Sequence, residues 1–409
     1  MKGANTKVAL LRRLFRNARI RGENKRDRIF ALVSSLFMIV CMALPTGFEG
    51  ASQAAGSERA RGKIVEVNND RVISIGPVKQ GEQQLEVEIR SGRFKGQVFS
   101  GSNNLMGKME LDKIFALGDS ALVVLSFSED GGVGHAQVID HYRTGKTIFL
   151  CILFFFFIIL IMGWMGVKII ITFVFTAIAL VHVLFPAMLR GWDPIFASVV
   201  MVTIITAAII FLVGGLSQRG LVAFAGSMGG VLLTSLLAFF FTCWFKIHGA
   251  ARPFAEALLY SGYSHLNLAH LFISGVFLAS SGAMMDLSMD IASAMDEIKK
   301  QNPNVSRLNL IKSGVSVSRH VAGTMSTTLL LAYSAEYTAM IMTFIAQGVP
   351  LENVINMVWV SSEVIHTLVG CFGLTLVAPL TVFAGGIILG GERSPTRDKK
   401  TRKSVRASF

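Results

Sequence analysis

The chain of 409 residues is 52% hydrophobic and only 16% charged, with a mean hydropathy of +0.56, which excludes an ordinary soluble domain and makes lipid the solvent for much of it. Its formal charge of +13 sits at the ends: residues 1–28 carry ten Lys and Arg against Glu23 and Asp27, and residues 392–409 carry seven against Glu392 and Asp398. Basic tails abutting apolar runs read as cytoplasmic anchors on anionic lipid, so the lipid bilayer is an expected partner and nucleic acid is not. Cys41, Cys151, Cys243 and Cys371 all fall in apolar runs, which leaves neither a disulfide framework nor a CxxC metal knuckle.

A bilayer core of about 30 Å takes roughly 20 apolar residues in a helix. Eight stretches reach or approach that length: 29–44, 148–165, 167–185, 195–216, 221–245, 266–285, 321–345 and 364–389. The first follows a basic leader and is either an uncleaved signal anchor or a signal peptide, with Ser52-Gln53-Ala54 suiting a cleavage site. Lys and Arg in the short loops favour one side: Lys168, Arg219, Lys299, Lys300, Arg307, Lys312 and Arg319 lie inside if the N-terminus does. The positive-inside bias then puts both termini in the cytoplasm and residues 46–146 outside.

That exported segment changes period. Gln84-Leu85-Glu86-Val87-Glu88-Ile89-Arg90 is apolar at every second position, which predicts a strand with one buried face. Further strands are predicted at 62–67, 71–75, 96–101, 121–127 and 134–139, broken by Gly, Asn and Asp. The expected fold is a membrane all-α helical bundle of about eight transmembrane helices with an inserted small extracytoplasmic β-barrel or β-sandwich-like domain. Its predicted segments are a basic tail (1–28), the anchor (29–45), the β-rich domain (46–146), a seven-helix domain (147–391) with a cytoplasmic loop at 290–320, and a second basic tail (392–409). Within that loop Ser306 is expected to open a short amphipathic segment along the inner membrane face. Gly226 with Gly230 and Gly386 with Gly390 place small residues four apart and foreshadow close helix packing.

This order of segments, together with particular stretches, resembles the YibE/F-like family of bacterial multi-pass membrane proteins. The likeness is carried by Gly92-Arg93-Phe94-Lys95-Gly96, Asn103-Asn104-Leu105 and Gly118-Asp119 in the β module, and by Gly282-Ala283-Met284-Met285-Asp286 with Ser293. Ser313-Gly314 with Arg319, Gly323-Thr324-Met325, Leu329-Leu330-Leu331-Ala332-Tyr333, Gly373-Leu374 and Pro379-Leu380-Thr381 continue it. The resemblance spans 61–386 and implies a bacterial plasma (inner) membrane protein, without supplying a substrate. Ser334-Ala335-Glu336 departs from the small residues expected after Tyr333.

Ionisable groups inside spans are costly, roughly 2.5 kcal/mol or more at mid-membrane, and so mark candidate function. Asp286 and Asp290, four apart, share a face near the inner end of the sixth span; they either repel or share a cation or an arginine, with Arg319 the nearest candidate. Glu336 falls near the middle of the span counted from 321 to 345, behind Thr324, Thr327 and Thr328, whose hydroxyls form a polar stripe. These six are the expected ion or substrate pathway; Arg319, Glu363 and His366 are the expected gate or ion pair. Glu363 and His366 are three apart, and His265 and His270 flank the preceding outer end, yet no HExxH signature is present and surface-facing positions are expected for them. His182, alone in an apolar run, reads as a hydrogen-bonded core histidine. No Walker sequence or nucleophile elbow is present, so neither catalysis nor a cofactor or metal is expected. The residues leave two functions open: a permease or channel-like transporter of an unidentified small solute or ion, or a non-transporting envelope scaffold or receptor that binds a protein partner through residues 59–141. A homo-oligomer is compatible with either.

Overall fold

The structure is a computed structural model that describes residues 57–127 and 133–390, with a few positions between 35 and 46. Most of the predicted first span and both basic tails lie outside the described residues. Contacts divide the chain into two units, Pro45–Ile161 and Met162–Phe409 together with Met1–Leu44.

In the first unit β1 (Ser57–Ile75), β2 (Val78–Ile89), β3 (Val98–Met106), β4 (Ser120–Phe127) and β5 (Val133–His141) close into a five-stranded barrel in the order β1-β2-β3-β5-β4. β3 and β5 run parallel and the other pairs antiparallel. This is a Greek-key barrel of the OB kind, not a two-sheet sandwich. The alternation in β2 holds: Gln83, Leu85, Val87 and Ile89 point inward and pack with Ile64, Phe115, Val123 and Leu125. Two predicted strands, 62–67 and 71–75, are a single long strand. The Asn68-Asn69-Asp70 run read as a turn is instead a register shift between Asn68 and Arg71, which lets one strand bend around the barrel.

One core position of β2 is polar. Gln83 is fully buried; its Nε2 donates to Asn69 Oδ1 (2.8 Å) and to the Phe115 carbonyl (2.9 Å), and its Oε1 accepts from the Phe115 amide (3.0 Å) and Asn103 Nδ2 (3.2 Å). Asn103 also donates to the Lys113 carbonyl at 2.6 Å, so two side chains tie the β3–β4 connection to the strands. Gln83→Leu keeps the volume and removes every one of these partners. It is expected to destabilise the barrel by about 2 kcal/mol, because the Phe115 amide and carbonyl are left buried and unpaired. Hydrogen exchange in the full-length protein should show faster exchange at Phe115 and its neighbours, and unchanged exchange would remove Gln83 from the account.

After the barrel come ten helices among the described residues: α1 (Thr144–Met162), α2 (Trp164–Leu189), α3 (Pro194–Val213), α4 (Gln218–Trp244), the short α5 (Ala255–Tyr260), α6 (Leu268–Gln301), α7 (Arg307–Glu336), α8 (Thr338–Ala346), the short α9 (Leu351–Asn356) and α10 (Val358–Ile388). Side-chain caps open several of them: Asp193 accepts from two α3 amides, Ser217 from the Gly220 amide, Asn267 from two α6 amides and Ser306 from the Asn309 amide. Among the described residues six helices are long and apolar enough to cross a membrane, and the α7–α8 pair, bent by 60°, makes up to seven. No residue of α1 is buried.

α4, α6, α7 and α10 form the centre of the second unit, around Val231, Phe277, Met284, Leu287, Leu374 and Val377. α2 and α3 add a flanking cluster around Phe175, Leu184 and Met201. The glycine pairs act as anticipated at this crossing. A Cβ on Gly226 would lie 2.1 Å from Thr381 Oγ1, and one on Gly230 would lie 1.8 Å from Val377 Cγ2, so α4 and α10 touch through bare backbone. Gly386 meets Ile311 of α7 in the same way.

Three expectations for this half need correction. The segment after Ser306 is not a separate amphipathic helix: α6 runs on to Gln301, and α7 starts at Arg307 and continues unbroken as far as Glu336. Apolar residues Leu310, Gly314 and Ala322 are buried along one continuous stripe, which explains the extension. The predicted span 321–345 is therefore not one straight helix, because it breaks at Tyr337 between α7 and α8. His182 lies in a π-helical turn of α2, Ala179–Leu184, and its Nδ1 has no hydrogen-bond partner among the described residues, unlike the bonded core histidine expected.

Candidate functional site

The break after Glu336 decides where the polar side chains meet. α4 and α7 finish at the end of the bundle where α6 and α10 begin, and the loop after α4 turns back over it. Gly249 makes this loop passable: its φ is +80°, and a Cβ there would lie 2.0 Å from the Leu268 carbonyl. The loop delivers Arg252, whose Nη1 donates to Glu363 Oε1 at 2.7 Å across 111 residues of sequence. Its guanidinium also lies over the Phe272 ring of α6, 5.5 Å from the centroid.

Glu363 and His366, one turn apart on α10, turn inward. His366 is 5% exposed, and its Nδ1 stands 3.7 Å from Glu363 Oε2. Tyr333 of α7, also buried, stacks its ring on the imidazole with centroids 4.4 Å apart. One turn further along α7 is Glu336, exposed at the last residue of the helix. One ligand atom from each of Glu336, Glu363 and His366 lies within 4.8 Å of the others. Three buried polar atoms here, Tyr333 OH, Glu363 Oε2 and His366 Nδ1, have no hydrogen-bond partner among the described residues. Native interiors satisfy nearly all such atoms, so their convergence makes this cluster the candidate site.

The other residues singled out from sequence are placed elsewhere. Asp286 and Asp290 are exposed along α6, in line with Gly275, Ala279 and Gly282, and neither forms an ion pair with Arg319, which is itself exposed. Thr324, Thr327 and Thr328 are exposed on α7 and donate back to carbonyls of their own helix, Thr324 to Val321 at 3.0 Å and Thr327 and Thr328 to Thr324 at 2.8 and 3.0 Å. His265 and His270 do not join Glu363 and His366. His265 Nε2 is 3.2 Å from the Leu189 carbonyl, and His270 Nδ1 meets Asp193 Oδ2 at 2.5 Å. Partial burial works to raise the Asp193 pKa, but the His270 hydrogen bond and the α3 amides outweigh it and hold the carboxyl below the usual range.

Glu363 and His366 were thus legible as a pair at i, i+3, although His366 is buried and Glu363 half-buried instead of facing the surface. Arg252 and Tyr333 were missed as members. The signal available was an arginine four residues before Glu256 in an outer loop, and a tyrosine ending a run of leucines. An imidazole and two carboxylates form a donor set that a divalent cation could take, a combination the sequence alone did not assemble.

No curated protein and no solved structure matches the chain. The family model described as YibE/F-like protein matches residues 150–391, more than half the chain, leaving the β module outside the matched region. The apolar helices and this match together mark a membrane protein, and the chain belongs to the YibE/F-like family.

Proposed function

We propose that this protein is a permease or channel-like transporter of the bacterial plasma membrane, with both termini cytoplasmic and the β-barrel outside. The observation that supports it most is the discontinuity between α7 and α8, set against α10 beside a cluster of buried, incompletely bonded polar groups. Transport proteins place binding sites at broken helices, because irregular backbone and polar side chains at membrane depth are tolerated only in a protein-lined or wet environment. On this reading Glu336, Glu363 and His366 lie at one end of the route. The Thr324, Thr327 and Thr328 hydroxyls line α7, Asp286 and Asp290 attend the other end, and Arg319 lies nearby as a gate. Reconstituted in vesicles, the protein is expected to pass protons or cations, and Glu336→Gln and Asp286→Asn are each expected to cut flux about tenfold, equivalent to ~1.4 kcal/mol of barrier. Flux unchanged by both substitutions would take these carboxylates out of the mechanism.

A second reading is a non-transporting receptor or scaffold, and one feature of the barrel favours it. Arg61, Lys63, Arg90 and Lys95 surround an open recess of about 500 Å³ with Gly118 and Ser120, a setting for an anionic group of a partner. This reading predicts that residues 57–141 alone capture an envelope component, and that capture fails when Arg61 and Arg90 are changed to Ala.

A further inference from the structure

Three features make the α7–α10 cluster a cation site and not merely a polar patch. Its donors come from two different helices, so the bundle holds them in place: Glu336 from α7, Glu363 and His366 from α10. One of them, His366, is 95% buried and carries a ring nitrogen with no hydrogen-bond partner among the described residues, facing the equally unpartnered Glu363 Oε2. Arg252 occupies the other Glu363 oxygen and stacks on Phe272, which orients the free oxygen towards the histidine.

We propose that Glu336, Glu363 and His366 bind one divalent transition-metal cation, of the zinc or manganese type, with an open coordination position. Two carboxylates and one imidazole favour such an ion over magnesium or calcium, which prefer all-oxygen sites. Donors in a tetrahedral zinc site lie about 3.3 Å apart at metal–ligand lengths of about 2.0–2.2 Å. The present separations, within 4.8 Å, exceed this by at most about 1.5 Å. Glu336 is exposed, so a cation has a way in, and three protein ligands leave the fourth place for water or a solute. Charge agrees as well: Arg252 offsets Glu363, so the cation meets the net negative charge of Glu336. Tyr333, stacked on the imidazole, positions that ring and is not counted as a ligand. The inference concerns what is bound and stands whether or not anything is transported.

The test is equilibrium binding to the full-length protein in detergent, measured calorimetrically with Zn²⁺, Mn²⁺, Mg²⁺ and Ca²⁺. One Zn²⁺ or Mn²⁺ per chain is expected, with Mg²⁺ and Ca²⁺ at least tenfold weaker. His366→Gln and Glu336→Gln should each weaken binding by more than the roughly 100-fold that loss of an outer-sphere partner can cost. His265→Gln should leave it unchanged. No binding, equal binding in the His366 and Glu336 variants, or equal affinity for Mg²⁺ would each overturn the proposal. Should a variant fail to fold, X-ray absorption on the zinc-loaded wild type decides: one nitrogen with two or three oxygens supports the site, and sulfur or several imidazoles refutes it. Metal bound with flux insensitive to Glu336→Gln would sink transport through this site and leave the inference intact; Glu336-dependent flux without metal binding would do the reverse.

Discussion

Gly373→Val is expected to lower the stability of the helical unit by about 3 kcal/mol, at the upper end of what overpacking costs in proteins. Gly373 of α10 faces α4, where a Cβ would fall 1.9 Å from Thr234 Oγ1, 3.0 Å from Thr234 Cβ and 2.4 Å from Met284 Cε. The methionine can swing aside. The threonine cannot do so freely, because its hydroxyl donates to the Gly230 carbonyl at 2.7 Å and its Cβ is carried by the α4 backbone. The substitution must therefore push apart a pair of helices that also meet through Gly226 and Gly230. Unfolding of the purified protein in mixed detergent–denaturant micelles measures the loss. Gly282→Ala, whose added Cβ meets nothing within 4 Å, serves as control and is expected within about 0.5 kcal/mol of wild type or slightly above it. Thr234→Ala placed on top of Gly373→Val should recover some of the loss. A Gly373→Val protein as stable as the control would show that α4 and α10 do not approach as described.

The sequence made some levels of this structure legible and hid others for identifiable reasons. Continuous apolar runs of bilayer length are a local property, so the six long apolar helices and the bent α7–α8 pair fall on predicted runs, while most of the expected eighth, 29–44, lies outside the described residues; the strict alternation around Leu85 and Val87 fixed the buried face of β2. The Asn68-Asn69-Asp70 run carried turn chemistry, yet β1 passes through it with a register shift, because pairing with β2 on both sides holds the strand together. The helix break at Tyr337 was hidden because neither Gly nor Pro marks it. The one local hint was Ser334-Ala335-Glu336 standing where small residues were expected. Counting a span from 321 to 345 therefore placed Glu336 in mid-helix, remote from Glu363 and His366. The i, i+3 spacing made the α10 pair visible, but Arg252, 111 residues before Glu363, could join only through tertiary packing. The glycines at 226, 230 and 386 signalled close approach by their spacing but did not say which helix approaches.

The Arg252–Glu363 ion pair yields a prediction of similar size and a different origin. The two side chains are 28% and 16% exposed, so the pair is shielded enough that losing one member leaves a poorly solvated charge. Arg252→Met is expected to cost roughly 3 kcal/mol, measured by unfolding in metal-free buffer with chelator present, because Glu363 then faces Glu336 with no neighbouring cation. Glu363→Gln alone strands the guanidinium, but the Phe272 ring and partial exposure support it, so its cost should be smaller. With both changed, no charge is stranded, and the double variant is expected to be more stable than Arg252→Met alone. The coupling between the two sites then emerges as about 1–3 kcal/mol in a double-mutant cycle. Coupling of a few tenths of a kcal/mol would place the pair with exposed salt bridges, whose members are held by solvent as well as by each other. In that case the orientation of the free Glu363 oxygen would depend on His366 and Tyr333, not on the arginine.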